Sequence, residues 1–470
     1  MAQVRPDRLE GEGVCAVASW QQGAVLGLSI EDLNDQGEGV GRWEGRVVFV
    51  PNTAPGDQVQ VRLIRVKPRY GWGQVMAVVQ PSAQRVRPAC WVADTCGGCQ
   101  WQHLVYPAQL EAKTAQVAAA LTRLGGFADP WPLAPIVPSP HPLGYRNKAT
   151  YPLGVGAAGR VKAGYYERGS HRLINLNRCP VQDARLDPFL AQIKGDLQTR
   201  GWAVYNETTR QGQLRHLGVR VGRCTGEVLL TLVSTTFDLP GLAAQAEQWL
   251  ATYPGLVGVC VNRQPAPTNV IFGPETRCLA GRPYLEEVLA GLRFRLGPET
   301  FFQVNTEQAE ALIEVLAAGL HLDSAMTLVD AYCGVGALSL PLAGRVSTVW
   351  GLEAQAAAVL QAEENAARNG IANARFTAGR VEDLLPQMAT LPDGVILDPP
   401  RKGCEPAVIE ALHHLRPDQI AYVSCNPATL ARDLQALCTE GLYQLTQVQP
   451  LDFFPQTHHV ETVAFLQLTH

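Results

Sequence analysis

Over the first eighty residues the apolar positions come in short β-rich runs, "AVLGLSIEDLN", "GVGRWEGRVVFVPN" and "DQVQVRLIRVKPRYGWGQVMAVVQP". Gly, Asn-Thr and Pro-Gly turn signals separate them. The pattern predicts about five strands over residues 20–80, closing into an OB-like barrel of the kind that binds oligonucleotides. An SH3-like barrel with a protein partner fits the same pattern, and fold alone does not choose between them. From 291 to 470 strand-like runs alternate with helical ones: "TLVDAYC", "TVWGLEA", "QAAAVLQAEENAARNG", "GVILDPP", "IAYVSCN", "HHVETVAFLQL". That alternation predicts βαβ units and an α/β, mainly parallel, doubly wound sheet. Between them, 81–290 reads as a mixed α/β segment, and the Pro-rich "FADPWPLAPIVPSPHPLGYR" (127–146) as an extended surface connector.

At 470 residues the chain exceeds one hydrophobic core. No stretch of roughly 18 apolar residues points to a membrane span. The opening "MAQVRPDRLEGEG" lacks a charged-then-apolar leader, so a cytoplasmic location is expected. Twelve cysteines in so long a chain are not a disulfide scaffold; clustered ones point to metal or catalysis. A net charge of −4 excludes nonspecific coating of nucleic acid, but cations are unevenly placed. "RLIRVKPR" (62–69) holds four of them and no acid, and 144–179 interleaves seven with tyrosines. Cations for phosphates and rings for bases are what single-stranded or loop RNA requires, although a solvated sheet face reads the same way.

"DAYCGVG" follows a strand and opens a helix, and Gly334 and Gly336 allow a tight turn beside a ligand. Glu353 ends the next strand, where an acid can take two ribose hydroxyls. Leu338 stands where a third glycine would approach a diphosphate, so S-adenosylmethionine fits better than a dinucleotide. "LDPPRKG" puts Asp398 beside the same crevice, with Arg401 where an amine methyltransferase would carry an aromatic ring. Together these features indicate a class I methyltransferase sheet.

Methylating carbon 5 of a pyrimidine needs a thiolate that adds to carbon 6 and a base that removes the carbon 5 proton. Cys425, at a strand end next to Asp398, is the leading nucleophile, and Cys404 competes with it. Glu461 begins the final strand and could face Cys425; His458 and His459 are competing bases, and a solvated edge-strand acid is the plain alternative. A separate group, Cys90-x5-Cys96-x2-Cys99 with a distant Cys179, could complete a zinc site or an iron–sulfur cluster. Three close thiolates plus one favour a cubane.

These residues resemble the bacterial RNA uracil-5 methyltransferases that carry a TRAM domain and an iron–sulfur cluster. The motifs are "GEGVGRWEGRVVFVPNTAPGDQV", C-x5-CGGC with "RCPV", "FFQVN", "DAYCGVG", "LDPPRKG", "VSCNP" and "HHVETV", in family order. The resemblance implies that Gln303, Tyr332, Glu353 and Asp398 contact S-adenosylmethionine. It implies Cys425 as nucleophile, Glu461 as general base, and Cys90, Cys96, Cys99 and Cys179 as ligands of a [4Fe–4S] cluster. Ala337 and Arg380 depart from the family pattern, so neither is assigned a cofactor contact. Members that act on the transfer-RNA T-loop are typically shorter and lack the barrel and the cluster. A uridine of 23S ribosomal RNA is therefore the expected target, with no membrane and no obligate protein partner. A TRAM-containing radical methylthiotransferase would use a Cys-x3-Cys-x2-Cys trio, which is absent. A silent RNA-binding assembly factor would not need Cys425, Glu461 and a cofactor pocket.

Overall fold

The computed structural model describes residues 19–128 and 132–469, which form two compact units, one ending at Arg85 and the other starting at Val86. In the first, β1 (Val25–Leu33), β2 (Gly39–Trp43), β3 (Arg46–Val50), β4 (Gln58–Val66) and β5 (Tyr70–Gln80) close a barrel in the order β1-β2-β3-β5-β4. Alternation with period two supplies its core: Leu26, Leu28 and Ile30 from β1 meet Val59, Val61 and Leu63 from β4. Phe49, Tyr70 and Trp72 lie on the alternate positions and belong to no core cluster. They form a ring cluster, Tyr70 5.3 Å and Phe49 6.0 Å from Trp72, with the Arg65 guanidinium 5.0 Å above Trp72.

The second unit opens with the cysteine loop and α1 (Tyr106–Arg123). A seven-stranded sheet follows, built from β6 (Lys148–Val155), β7 (Val161–Tyr166), β8 (Leu173–Asn175), β9 (Leu214–Val221), β10 (Val228–Ser234), β11 (Leu256–Arg263) and β12 (Glu275–Gly281). Helices α2 (Asp187–Arg200) and α3 (Leu242–Thr252) pack on it through Phe189, Leu190, Ile193 and Trp249. The hairpin of β13 (Leu285–Leu289) and β14 (Leu292–Leu296) leads to α4 (Thr306–Gly319).

Seven further strands are β15 (Thr327–Ala331), β16 (Thr348–Glu353), β17 (Ala374–Ala378), β18 (Gly394–Leu397), β19 (Gln419–Ser424), β20 (Tyr443–Leu451) and β21 (Glu461–Leu468). They run in the order β17-β16-β15-β18-β19-β21-β20, the first five parallel and β21 antiparallel to both neighbours. The connecting helices are α5 (Ser339–Leu342), α6 (Ala356–Arg368), α7 (Val381–Leu384), α8 (Pro406–Leu415) and α9 (Pro427–Leu437). Successive residues of each strand feed opposite cores. Leu328, Ile396 and Ala421 pack towards α4, while Val329, Val395 and Ile420 pack towards α8 and α9. Helix α1, some 200 residues earlier in the chain, joins the second core through Val117 and Leu121.

The Pro-rich segment is more than a surface connector. Residues 132–138 run beside β20, with the Ala134 and Val137 N–H groups donating to Val448 and Pro450 carbonyls at 2.8 and 2.9 Å. Its non-proline residues can still donate, so it covers an edge that would otherwise invite another chain. Asp129 to Trp131 of that segment lie outside the described residues. No described helix is long and apolar enough to cross a membrane.

Candidate active site

Strand register brings the two leading candidates together. β19 and β21 pair with Ser424 opposite Thr462, so Cys425 and Glu461 face each other one step further on, at the carboxyl end of β19. β21 lies between β19 and β20, and Glu461 is 6% exposed, which disposes of the solvated edge-strand alternative. Asp398 follows β18, the parallel neighbour of β19, and Tyr332 follows β15. Gln303, Tyr332, Glu353, Asp398, Cys425 and Glu461 all line one cavity of about 870 Å³. That volume suits a nucleoside-sized cofactor together with a base.

Backbone geometry shapes the cofactor end. Tyr332, Gly334 and Gly336 have φ of +74°, +55° and +81°, a turn that a β-substituent resists. A side chain at Gly336 would also meet Leu340 at 2.9 Å. The turn aims the Gly334 N–H at Glu353 Oε2 (3.1 Å), and the Gln355 N–H donates to Oε1 (2.8 Å). Glu353 is therefore fixed at the cavity wall with lone pairs to spare for a diol.

The reactive end is crowded with carboxyls. Burial pushes Asp398 up to about 7. Burial, then the neighbouring Asp398, raises Glu461 well above the usual carboxylate range, and Arg401 opposes this. The half-buried Cys425 thiol is raised by desolvation, then by Glu461, again against Arg401. Arg401 is thus the cation that favours the ionised forms of both candidates. Its carbonyl accepts hydrogen bonds from Asn426 Nδ2 (3.2 Å) and Thr429 Oγ1 (3.3 Å), tying its loop to the turn after Cys425.

The competitors sit in different surroundings. Cys404 is buried and absent from the cavity wall. Its thiol shares hydrogen bonds with the Tyr422 and Tyr332 hydroxyls, and desolvation pushes it up to about 12. Its N–H and the Tyr422 hydroxyl both donate to Asp433 Oδ2, at 2.9 and 2.6 Å. His459 lines the cavity, but burial and then His458 push it down to about 3, and burial holds His458 near 4. Both rings are weaker bases than an elevated Glu461.

Sequence reasoning passed over two groups. Arg401 was noted only as a missing aromatic ring. Asp330, fully buried below the glycine turn, accepts from Ser339 Oγ through one oxygen, while the other has no hydrogen-bond partner among the described residues; burial pushes it up to about 7. An acid inside the apolar run "TLVDAYC" was the available signal.

The four cysteines of the second group share one neighbourhood. Cys99 and Cys179 pack together with Tyr145 and Tyr165, and all four sulfurs lie within electrostatic reach of one another. Desolvation and the neighbouring sulfurs raise Cys99 to about 11 and Cys179 to about 12, while Arg146 favours the Cys99 thiolate. Among the described residues no group of three or more His, Cys, Asp or Glu side chains forms a metal-ion site, and these four are no exception.

Comparisons with known proteins agree with this architecture. Residues 276–469 match the tRNA (Uracil-5-)-methyltransferase family, and residues 19–76 match the TRAM domain. An uncharacterized RNA methyltransferase of Nostoc sp. is 57% identical over 452 residues, 96% of this chain and 98% of its own. One from Bacillus cereus is 38% identical over 451 residues, 95% and 98% of the two chains. The crystal structure of Pyrococcus abyssi tRNA (uracil-54, C5)-methyltransferase in complex with S-adenosyl-L-homocysteine aligns with a TM-score of 0.75 at 29% identity, covering 94% of this chain and 100% of that one. With these relatives and this cavity, the chain belongs to the S-adenosylmethionine-dependent RNA (uracil-5-)-methyltransferase family.

Proposed function

We propose that the protein methylates carbon 5 of a uridine in RNA through a transient bond between Cys425 and carbon 6. The carrying observation is the β19–β21 register, which sets Cys425 opposite Glu461 in the cavity that also holds Glu353 and Asp398. Arg401 favours the Cys425 thiolate, which adds to carbon 6 and leaves an enolate whose carbon 5 is nucleophilic. S-adenosylmethionine, held by Gln303, Tyr332, Glu353 and Asp398, supplies the electrophilic methyl group. Carbon 5 takes that methyl; the Glu461 carboxylate then removes the carbon 5 proton, and the electron pair expels the Cys425 sulfur. A buried carboxylate with raised proton affinity suits that last step, because its basicity approaches what the proton requires.

RNA containing 5-fluorouridine tests the route. Fluorine cannot leave as a proton does, so the wild-type protein should stall as a methylated covalent adduct, and Cys425→Ala should bind the cofactor but form none. Normal turnover by Cys425→Ala would sink the reading.

Ribosomal RNA of the large subunit is the proposed target. The Pyrococcus abyssi tRNA enzyme favours a second reading: it aligns with 94% of this chain, so a long chain with a barrel does not by itself separate the two RNAs. Mass-spectrometric mapping of methyluridine in both RNAs after deletion of the gene decides between them. We further propose that Cys90, Cys96, Cys99 and Cys179 hold a [4Fe–4S] cluster, which needs wider sulfur spacing than a single ion. Four mutually close thiols free of disulfides support this, as does Arg146 beside them. Anaerobically purified protein should carry about four irons and four sulfides per chain, and Cys179→Ala should lose them.

A further inference from the structure

The Glu461 carboxylate is held by nothing at its own oxygens: among the described residues no hydrogen bond or ion pair reaches it. Its position is set by its backbone, which is fixed by the pairing of Glu461 with Leu451 of β20 and by the loop 452–460 that delivers the chain from β20 to β21. That loop is fastened by residues of α1 that do not line the cavity. The buried Lys113 on α1 forms an ion pair with the equally buried Asp452, and its Nζ also donates to the Phe454 carbonyl at 3.0 Å. Tyr106 Oη donates to Asp452 Oδ2 (2.8 Å). Gln109, one helical turn before Lys113 and 1% exposed, makes a two-way contact with Gln456: its Oε1 accepts from the Gln456 N–H (2.8 Å) and its Nε2 donates to Gln456 Oε1 (3.2 Å). Gln456 has a left-handed backbone, φ +70°, which a non-glycine residue keeps only when its surroundings hold it there. The Gln100 and Trp101 N–H groups, directly after Cys99, both donate to the Gln456 carbonyl at 3.1 and 3.0 Å.

We propose that Gln109 and Gln456 form a clamp that positions the Glu461 carboxylate, joining α1 and the cysteine loop to the proton-removal step. The proposal rests on Glu461 being the base. Cys425 has a second hold that the loop does not share: the Asn426 side chain accepts from the Ala428 N–H at 3.1 Å and donates to the Arg401 carbonyl at 3.2 Å. Loosening the clamp therefore displaces the base and leaves the nucleophile in place. Sulfur addition and methyl transfer continue, and departure of the sulfur slows. Gln109 does not line the cavity, so its role is that of a positioning residue.

Two variants test this. Gln109→Met keeps the volume and removes both hydrogen bonds to Gln456, and Gln456→Gly suits the left-handed backbone and removes the Oε1 acceptor while keeping the backbone N–H. On 5-fluorouridine RNA both should form adduct at the wild-type rate. On ordinary RNA both should release product about 10- to 100-fold more slowly, the cost of a misplaced group, with covalent protein–RNA accumulating on denaturing gels. S-adenosylmethionine affinity should stay unchanged, which a general loss of folding would not permit. Wild-type turnover without accumulation, or equal slowing of both steps, overturns the clamp. Glu461→Gln is run alongside: if it accumulates adduct and the clamp variants do not, the clamp alone fails. If Glu461→Gln accumulates none, the base assignment fails and the clamp falls with it.

Discussion

Asp398→Asn should make the protein more stable at neutral pH while removing its activity. Burial lifts the Asp398 carboxyl from 3.8 to about 7, so between those values the folded chain keeps a proton that the unfolded chain has released. Stability then falls by about 1.4 kcal/mol for each pH unit gained across that interval. Three units amount to about 4 kcal/mol as an upper bound; the side chain borders a cavity, and water there reduces the figure to about 2–3 kcal/mol. An amide carries no such penalty, so the variant's advantage should be near zero at pH 4, grow through pH 5 and 6, and level off above 7. Asp398 also raises Glu461, Cys425 and Asp330, and losing its charge relieves each of them. Urea unfolding of both proteins across this pH range measures the effect against a total stability of about 5–15 kcal/mol. Parallel stability–pH curves for wild type and variant would refute the reasoning, because they would mean that Asp398 titrates alike in the folded and unfolded chains.

Arg401→Met should shift the pH dependence of adduct formation upward, because the Cys425 thiolate loses a cation that favours it; an unmoved profile contradicts the assigned field. Cys404→Ser should form adduct on 5-fluorouridine RNA normally, since that thiol is engaged by Tyr332 and Tyr422 away from the cavity wall. Lys113→Met strands the Asp452 carboxylate in the interior and should cost about 3–5 kcal/mol in urea unfolding. Most of that loss should return when Asp452→Asn is added. Trp72→Ala should weaken RNA binding by about 1–3 kcal/mol, the worth of one stacked base, with cofactor affinity unchanged in calorimetry.

The parts of the fold legible from sequence were those with a local signature. Turn residues between β-rich runs announced the barrel, and strand–helix alternation announced the C-terminal sheet, because each follows from how neighbouring residues share a face. Five of the six cofactor and catalytic candidates stand in motifs at strand ends, the sixth, Gln303, came only from the family motif "FFQVN", and all six line the cavity. What local pattern does not carry is contact between distant segments. Nothing in "YPAQLEAKTAQVAAALTR" says that Lys113 will meet Asp452, since a lysine at that spacing reads as a solvated helix face. The Pro-rich segment was misjudged for the same reason: its partner, β20, lies some 310 residues away. Asp330 escaped notice because a single acid in an apolar strand makes no motif; its meaning comes from Ser339 and the glycine turn above it.

The joining of α1 to the loop after β20 bears on how the molecule is made. Lys113 and Asp452 are 339 positions apart, and a chain leaves the ribosome from its N-terminus. The second core cannot be completed, nor the pocket closed, until the final hairpin has emerged, so a buried lysine waits through most of synthesis without its counter-ion. Such long-range closure makes for slow assembly. It also ties completion of the enzyme to the emergence of β20 and β21, so truncated chains lacking these two strands would have neither Glu461 facing Cys425 nor a sealed core.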